Sequence, residues 1–241
     1  MAKKNERETQ RRAIAEQLRK QQQRKERMRS FGILGVCIVV VIGLLGVAGW
    51  KYYQDQQDKK EAAGKPLAEL GATEAAAKCD PVKTADAKGS GQHINPPEKI
   101  PYDQAPPSYG AHWPNFLQGS EIRTFYSPSD RPEIERLVHS LEHGHTILWY
   151  DESVTAGSPA YKDIQAIADK FDGETDKFMA APWKKADGGS FPEGKHVALT
   201  HWTGPEDQKG VTQYCGAPSG AVVEQFMKDY PASSAPEPDA P

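Results

Sequence analysis

The chain lacks the sequence signatures that most often assign a function directly. No G-x-S-x-G, G-x-x-x-x-G-K-S/T or G-x-G-x-x-G pattern occurs in its 241 residues. Those patterns are typical of serine hydrolases, P-loop nucleotide-binding proteins and dinucleotide-binding folds. Cysteine is also scarce, with three residues in the whole chain. This number excludes a disulfide-rich scaffold and a zinc site built from four thiolates.

The three cysteines fall into two different settings. Cys37 lies inside an apolar run and acts there as a small apolar residue. Cys79 and Cys215 are the two that remain in the rest of the chain, and outside the cytosol a lone pair of this kind predicts one disulfide. A thiolate copper site built from both is the alternative.

Charge is absent from residues 31–50, which read FGILGVCIVVVIGLLGVAGW. A helix needs about 20 apolar residues to cross a bilayer, so this run predicts a transmembrane helix. A cleaved signal peptide is the competing interpretation. It is disfavoured because its apolar region is shorter, about 7–15 residues, and lies closer to the N-terminus.

The distribution of charge predicts the orientation of that helix. Residues 1–30 contain eleven Lys and Arg against four Asp and Glu, whereas the whole chain has a net charge of −3. Because basic residues flank a span on the cytoplasmic side, we expect a cytoplasmic arm and an extracytoplasmic remainder at the plasma membrane. The predicted partner of the arm is the lipid surface and not nucleic acid.

The composition then divides the chain into five segments. The predicted organisation is a basic cytoplasmic arm, a transmembrane helix, a polar stalk, one exported domain and a disordered Pro/Ser/acidic tail, at residues 1–30, 31–50, 51–78, 79–230 and 231–241.

Periodic apolar residues predict a compact α+β domain of short strands and about three helices. The helices are expected over about 130–143, 158–170 and 219–230. The strands are expected over 145–150, 178–182 and 196–202, with a turn or strand end at 213–215.

Three histidines and a glutamate lie within the seven residues His139-Ser-Leu-Glu-His-Gly-His145. A helix places His139 and His143 one turn apart on one face, the spacing with which two imidazoles bind one metal ion. The string also matches the H-x-x-E-H pattern of inverted zinc metallopeptidases. The domain is too short for those enzymes, and Gly144 ends the predicted helix directly after the motif.

Three interpretations of this histidine cluster stay open. It can bind copper or zinc, both of which accept imidazole ligands, and His93 or His201 is a further candidate ligand. It can be a structural polar cluster, because the helix dipole favours a protonated histidine at a helix C-terminus. It can be catalytic, as in a zinc-dependent hydrolase, although we do not expect an enzyme.

Three strings of this sequence resemble the bacterial family named domain of unknown function 3105. They are the segments PPSYGAH ending at His112, LVHSLEHGHTILWY from Leu137 to Tyr150, and LTHW ending at Trp202. In that family a basic N-terminus and one span precede an exported domain. The resemblance implies that His112 belongs with the helix histidines, and by analogy it suggests an actinobacterial-type cell envelope. A small residue is usual in the family where this chain has His145.

The sequence thus predicts a single-pass membrane protein with an extracytoplasmic, disulfide-closed domain that binds copper or zinc. The expected ligands are His112, His139, His143, Glu142 and His145. The alternative functions are an accessory or assembly subunit of an envelope or respiratory membrane complex, and a zinc-dependent hydrolase.

Overall fold

The computed structural model of the chain describes residues 2–204 and 206–240, and within the first helix it describes the side chains of residues 16, 18–28, 34 and 38–64. The chain forms two compact units, Met1–Asp58 and Lys59–Pro241. The first unit belongs to one helix, α1 (Ala2–Gly64).

Helix α1 contains the predicted transmembrane segment. Of that segment, residues 31–33 and 35–37 lie outside the described side chains, and Cys37 is among them. Within the part of the chain that is described, no helix has a stretch both long enough and apolar enough to cross a membrane. The span at residues 31–50 stays a prediction from the sequence.

The second unit is built on a five-stranded mixed sheet with the order β1-β5-β4-β2-β3. Its strands are β1 (Lys83–Asp86), β2 (Thr146–Tyr150), β3 (Phe178–Pro182), β4 (Val197–Thr203) and β5 (Lys209–Cys215). Strands β2 and β3 pair in parallel, with Thr146 opposite Phe178, and the other three pairs are antiparallel.

Helices cover both faces of this sheet. They are α2 (Glu74–Ala77), α3 (Ile134–Glu142), α4 (Pro159–Ala168) and α5 (Gly220–Asp229). Successive residues of a strand point to opposite faces, and the buried strand β2 shows this clearly. Ile147 and Trp149 pack with α3, whereas Leu148 and Tyr150 pack with α4 and α5.

Local sequence explains where two of these helices begin. The hydroxyl of Ser158 accepts a hydrogen bond from the Tyr161 amide, and Pro159 occupies the first turn of α4. The hydroxyl of Ser219 accepts in the same way from the Val222 amide at the start of α5.

The mixed α+β class that the sequence predicted is confirmed. Helices α3, α4 and α5 and strands β2, β3 and β4 lie within a few residues of the predicted segments. Two strands differ from the prediction. Strand β1 was not predicted, and β5 is a seven-residue strand where a turn or strand end was expected. A disulfide joins Cys79 and Cys215 as predicted.

The segments on either side of the predicted domain differ from their expected structure. A polar stalk was expected at residues 51–78, yet the second unit begins at Lys59 and buries Leu70 and Ala77. A disordered tail was expected at residues 231–241. Residues 231–240 instead pack on the domain, where the Gly204 amide donates to the Ser234 carbonyl and Ala235 is fully buried.

Candidate metal centre

The last turn of α3 presents the predicted histidines, and a specific C-terminal motif ends the helix there. The Gly144 amide donates to the Leu141 carbonyl, and the His145 amide donates to the Ser140 carbonyl at 2.9 Å. This pair of bonds defines a Schellman motif. Gly144 has φ +93°, and a Cβ added to it would lie 2.7 Å from the Ala232 carbonyl oxygen. Only glycine suits this position, because both the conformation and the space exclude a side chain.

A second segment supplies two further histidines from the proline-rich first third of the domain. The His112 amide donates to the Gln92 carbonyl, and the Ile94 amide donates to the His112 carbonyl at 2.8 Å. This short parallel bridge sets His93 beside His112, with ring centroids 4.9 Å apart. The two imidazoles therefore reach the end of α3 together.

These segments form a group of four potential metal ligands, here called the histidine cluster: His93, His112, His139 and Glu142. One ligand atom from each residue lies within 4.8 Å of those of the other three. His93 is exposed, and the other three residues are buried. The cluster can hold a metal ion, with one side open to solvent.

Backbone carbonyls fix which ring nitrogen of two histidines faces the centre of the cluster. His112 Nδ1 lies 2.9 Å from the Gly110 oxygen, and His139 Nδ1 lies 2.6 Å from the Trp113 oxygen. A carbonyl only accepts, so each Nδ1 donates its hydrogen, and Nε2 of the neutral ring keeps a lone pair. Metal-binding histidines have this arrangement, because the carbonyl orients the ring and selects the tautomer.

The position of Glu142 strengthens this conclusion. Its Oε2 lies 2.9 Å from His112 Nε2. At this distance the two groups form an ion pair if His112 is protonated, and no hydrogen bond of normal geometry joins that buried nitrogen to a described residue. A neutral imidazole lone pair and a carboxylate both accept hydrogen bonds and neither donates. A positive species, either a proton or a metal ion, has to lie between them.

The electrostatics of the cluster favour ligands without protons. Burial lowers the pKa of His139 to about 4, helped by the neighbouring rings of His112 and His143 and opposed by the hydrogen bond to Trp113. Burial raises the pKa of Glu142, but the nearby imidazoles, led by His112, outweigh it and hold the pKa below its usual value. At neutral pH His139 is neutral and Glu142 is ionised, which are the forms that bind metals.

An open cleft of about 410 Å³ leads to Glu142 from outside. Trp202 and Gly91 form part of its wall. A Cβ added to Gly91 would lie 2.7 Å from Glu142 Oε1 and 3.3 Å from the Trp202 ring. Gly91 therefore leaves the space in which the carboxylate lies, and small molecules can reach that carboxylate through the cleft.

The five predicted ligands do not all lie in one group. The structure brings His112, His139 and Glu142 into one group. His143 instead forms a second group with Glu142 and Glu237. His145 belongs to neither of the groups found among residues 2–204 and 206–240.

His145 is directed away from the cluster into the protein. Its Nδ1 lies 3.1 Å from the Ser140 carbonyl oxygen, and its buried Nε2 has no partner in the described part of the chain. Burial lowers its pKa to about 3, helped by the charge of Lys177. A metal role for His145 has no support in this geometry.

The two histidines of the H-x-x-E-H pattern are adjacent at the end of α3. The rings of His139 and His143 are 4.5 Å apart and nearly perpendicular, at 82°. In the described structure the two histidines belong to different ligand groups that share Glu142. His143 is the C-cap residue of α3, and its amide still donates to the His139 carbonyl, so the two rings stay adjacent.

Glu237 was not a candidate from the sequence, and His93 was only an alternative outside the five expected ligands. His93 lies in a loop without helical or strand periodicity, so its spacing from His112 gives no signal. Glu237 lies in the Pro/acid-rich segment that was expected to be disordered. Both positions depend on tertiary packing.

Comparison with known proteins gives one result. The sequence model of a family described as "Protein of unknown function (DUF3105)" matches residues 93–241. No curated protein and no solved structure matches the chain. The family match includes every residue of both ligand groups and covers more than half of the chain. The chain therefore belongs to the DUF3105 family, a family of proteins of unknown function.

Proposed function

We propose that this protein binds a transition metal ion, copper or zinc, through His93, His112, His139 and Glu142. Three imidazoles and one carboxylate form a donor set that suits either metal. The exposed side at His93 and the cleft at Glu142 give the ion a route in and out.

One observation carries this proposal. The Nε2 atom of His112 faces the Glu142 carboxylate at 2.9 Å while its Nδ1 is committed to the Gly110 carbonyl. So close a buried approach needs a positive species between the two groups, either a proton or a metal ion, and the two further imidazoles within reach form the donor set that a metal ion requires. His139, which lies on helix α3, likewise has its Nδ1 hydrogen-bonded to a backbone carbonyl, that of Trp113.

The proposal is tested by metal analysis of the full-length protein purified with detergent. We expect bound copper or zinc after dialysis, and a rise in melting temperature on metal addition to the chelator-treated protein. A ligand present at 100 times its Kd stabilises the folded state by about 2.7 kcal/mol. Absence of bound metal together with an unchanged melting temperature would overturn the proposal.

Substitutions make this test specific to the cluster. His112→Gln and His139→Gln should each weaken metal binding by about 100-fold or more, since even groups that only orient a ligand are worth 10–100-fold. His196 offers the matched control, because it lies outside both ligand groups and contacts Asp151 and Ser153. His196→Gln should bind metal as the unchanged protein does.

We also propose that the domain lies on the outer side of the plasma membrane. The Cys79–Cys215 disulfide supports this location, because disulfides persist in oxidising compartments. Protease treatment of intact spheroplasts should cleave the domain and protect the N-terminal arm. Cleavage of the arm alone would reverse the proposed orientation. Membership of a membrane complex stays a prediction, which gentle detergent purification can test through recovery of a defined partner.

A further inference from the structure

We propose that Glu142 bridges two metal ions, one in the histidine cluster and a second one held by Glu142, His143 and Glu237. This inference rests on the proposed function, because the first ion is that of the histidine cluster. It adds a second site that the C-terminal segment completes.

The second group has the geometry of a site. One ligand atom from each of its three residues lies within 4.8 Å of the other two, and His143 Nε2 lies 3.8 Å from Glu237 Oε2. The His143 side chain is 4% exposed and that of Glu237 is 60% exposed. An imidazole and two carboxylates thus meet at the protein surface, with an open side where water can complete the coordination of a metal ion.

Glu142 is the one residue common to both groups. A carboxylate has two oxygens and can bind one ion with each. Paired ions in two-metal sites are about 3.5–4 Å apart. The rings of His139 and His143, which belong to different groups, have centroids 4.5 Å apart. The two groups are therefore close enough to share one carboxylate.

Glu237 is held in place by the backbone around it. Its amide donates to the Glu142 carbonyl at 3.0 Å. Ser234 receives a hydrogen bond from the Gly204 amide, and its hydroxyl lies 3.2 Å from His201 Nε2. Ala235, which lies between Ser234 and Glu237 in the sequence, is fully buried. The segment that carries Glu237 is thus fixed at both the helix end and the sheet.

The donor composition of the two groups supports two ions. Each group joins at least one imidazole nitrogen to at least one carboxylate oxygen, and copper and zinc accept both kinds of donor. A plain ion pair between His143 and Glu237 is the competing interpretation. It needs a protonated His143 and explains neither the shared Glu142 nor the inward-facing lone pairs of the histidine cluster.

The number of bound ions distinguishes these interpretations. Titration of metal-free, full-length protein with Zn²⁺ should give two ions per chain. Glu237→Gln should reduce this number to one, with affinity for the second ion weakened by about 100-fold and for the first changed less than about threefold. Asp239→Asn is the matched control, because it removes an exposed carboxylate from the same segment and should leave both ions bound.

Copper provides an independent readout. Two Cu²⁺ ions bridged by one carboxylate couple magnetically, so the electron paramagnetic resonance signal of the loaded protein should account for less copper than chemical analysis finds. Glu237→Gln should restore a full single-ion signal. One ion per chain in the unchanged protein, unaffected by Glu237→Gln, would overturn the second site and leave the first proposal standing. Absence of any bound ion would overturn both.

Discussion

Helices α3 and α4 pack on opposite faces of the same sheet and bury different kinds of residue. Of the residues that α4 buries, Tyr161, Ile164, Ile167 and Ala168, none carries a charge at neutral pH. Helix α3 buries eight of its nine residues, and Glu135, His139 and Glu142 are among them. Ionisable groups are costly to bury unless they are paired. Helix α4 therefore buries only uncharged side chains, whereas α3 also buries three ionisable side chains that need partners.

Three buried ionisable groups of α3 each contact one neighbouring segment, residues 99–113. Glu135 accepts from Lys99 Nζ and from the Ile100 amide, His139 donates to the Trp113 carbonyl, and Glu142 faces His112. The proline-rich part of the domain therefore supplies polar contacts to the buried ionisable groups of α3. This difference between the two helices predicts how each responds to substitution, to acid and to metal.

The largest effect is expected from the apolar helix. Ile164→Ala should lower the free energy of unfolding by about 2–5 kcal/mol, because Ile164 is fully buried and the smaller side chain leaves a cavity. Urea unfolding measures this loss, with the exposed Glu224→Ala on α5 as control. Metal bound per folded molecule should not change. A loss of metal binding in this variant would show that the two faces are coupled.

Acid should have the next largest effect, through one buried histidine on each face of the sheet, His139 on the α3 face and His201 on the α4 face. Burial lowers the pKa of His139 and of His201 to about 4, below the ordinary value of 6.5. Between these values the unfolded chain binds more protons than the folded one, so stability is complete above pH 6.5 and falls as the pH drops towards 4. Each histidine contributes up to about 3 kcal/mol over that range.

Urea midpoints of chelator-treated protein at pH 7.5 and pH 5 measure this acid effect. His201→Gln should make the dependence on pH shallower, because it removes one neutral buried imidazole that lies against Ser234 and Thr146. Equal midpoints at both pH values would contradict the prediction.

A smaller effect should separate two glutamates at the start of α3. Glu135→Gln should cost about 1–3 kcal/mol, because the side chain is buried and its charge is hydrogen-bonded to Lys99 and to the Ile100 amide. Glu133→Gln, two residues earlier and exposed, should be close to neutral. Thermal unfolding of the two variants makes the comparison. Similar losses in both would mean that burial of Glu135 does not matter.

The smallest change in stability should come with a measurable change in metal affinity. Gly91→Ala should displace the Glu142 carboxylate, since the added Cβ would lie 2.7 Å from Oε1. We expect metal affinity to fall about tenfold, a difference of about 1.4 kcal/mol, with stability nearly unchanged because a flexible side chain can move. Gly64→Ala adds the same methyl group in open space and is the control. Isothermal titration with Zn²⁺ compares the two.

The sequence predicted the elements whose apolar periodicity is strong. The stripe of Ile134, Leu137, Val138 and Leu141 marks α3, and the run before Tyr150 marks β2, because both bury one continuous apolar face. Strand β1 reads KTAD and is mostly exposed at the sheet edge. It has no apolar pattern, so only its pairing with β5 defines it as a strand.

The candidate site was predictable to the same extent. His139 and Glu142 follow from helical spacing, and His112 followed from the family resemblance. The membership of His143 in a second group and the places of His93 and Glu237 depend on contacts between distant segments. Composition predicted disorder for residues 231–241, because composition carries no information on tertiary contacts. In the structure Ala235 is buried, and the Ser234 carbonyl accepts a hydrogen bond from the Gly204 amide.

The position of β1 has a consequence for the order in which the domain folds. Its partner is β5, with Lys83 opposite Thr212, and the adjoining disulfide joins cysteines 136 residues apart. Contacts between such distant segments form slowly, because a long loop has to close before they gain any free energy. Strand β1 is synthesised first, but it can pair only after β5, the last strand, has been synthesised. Until β5 arrives, the edge of β4 stays open, and a chain interrupted before Cys215 has neither its sheet edge nor its covalent closure.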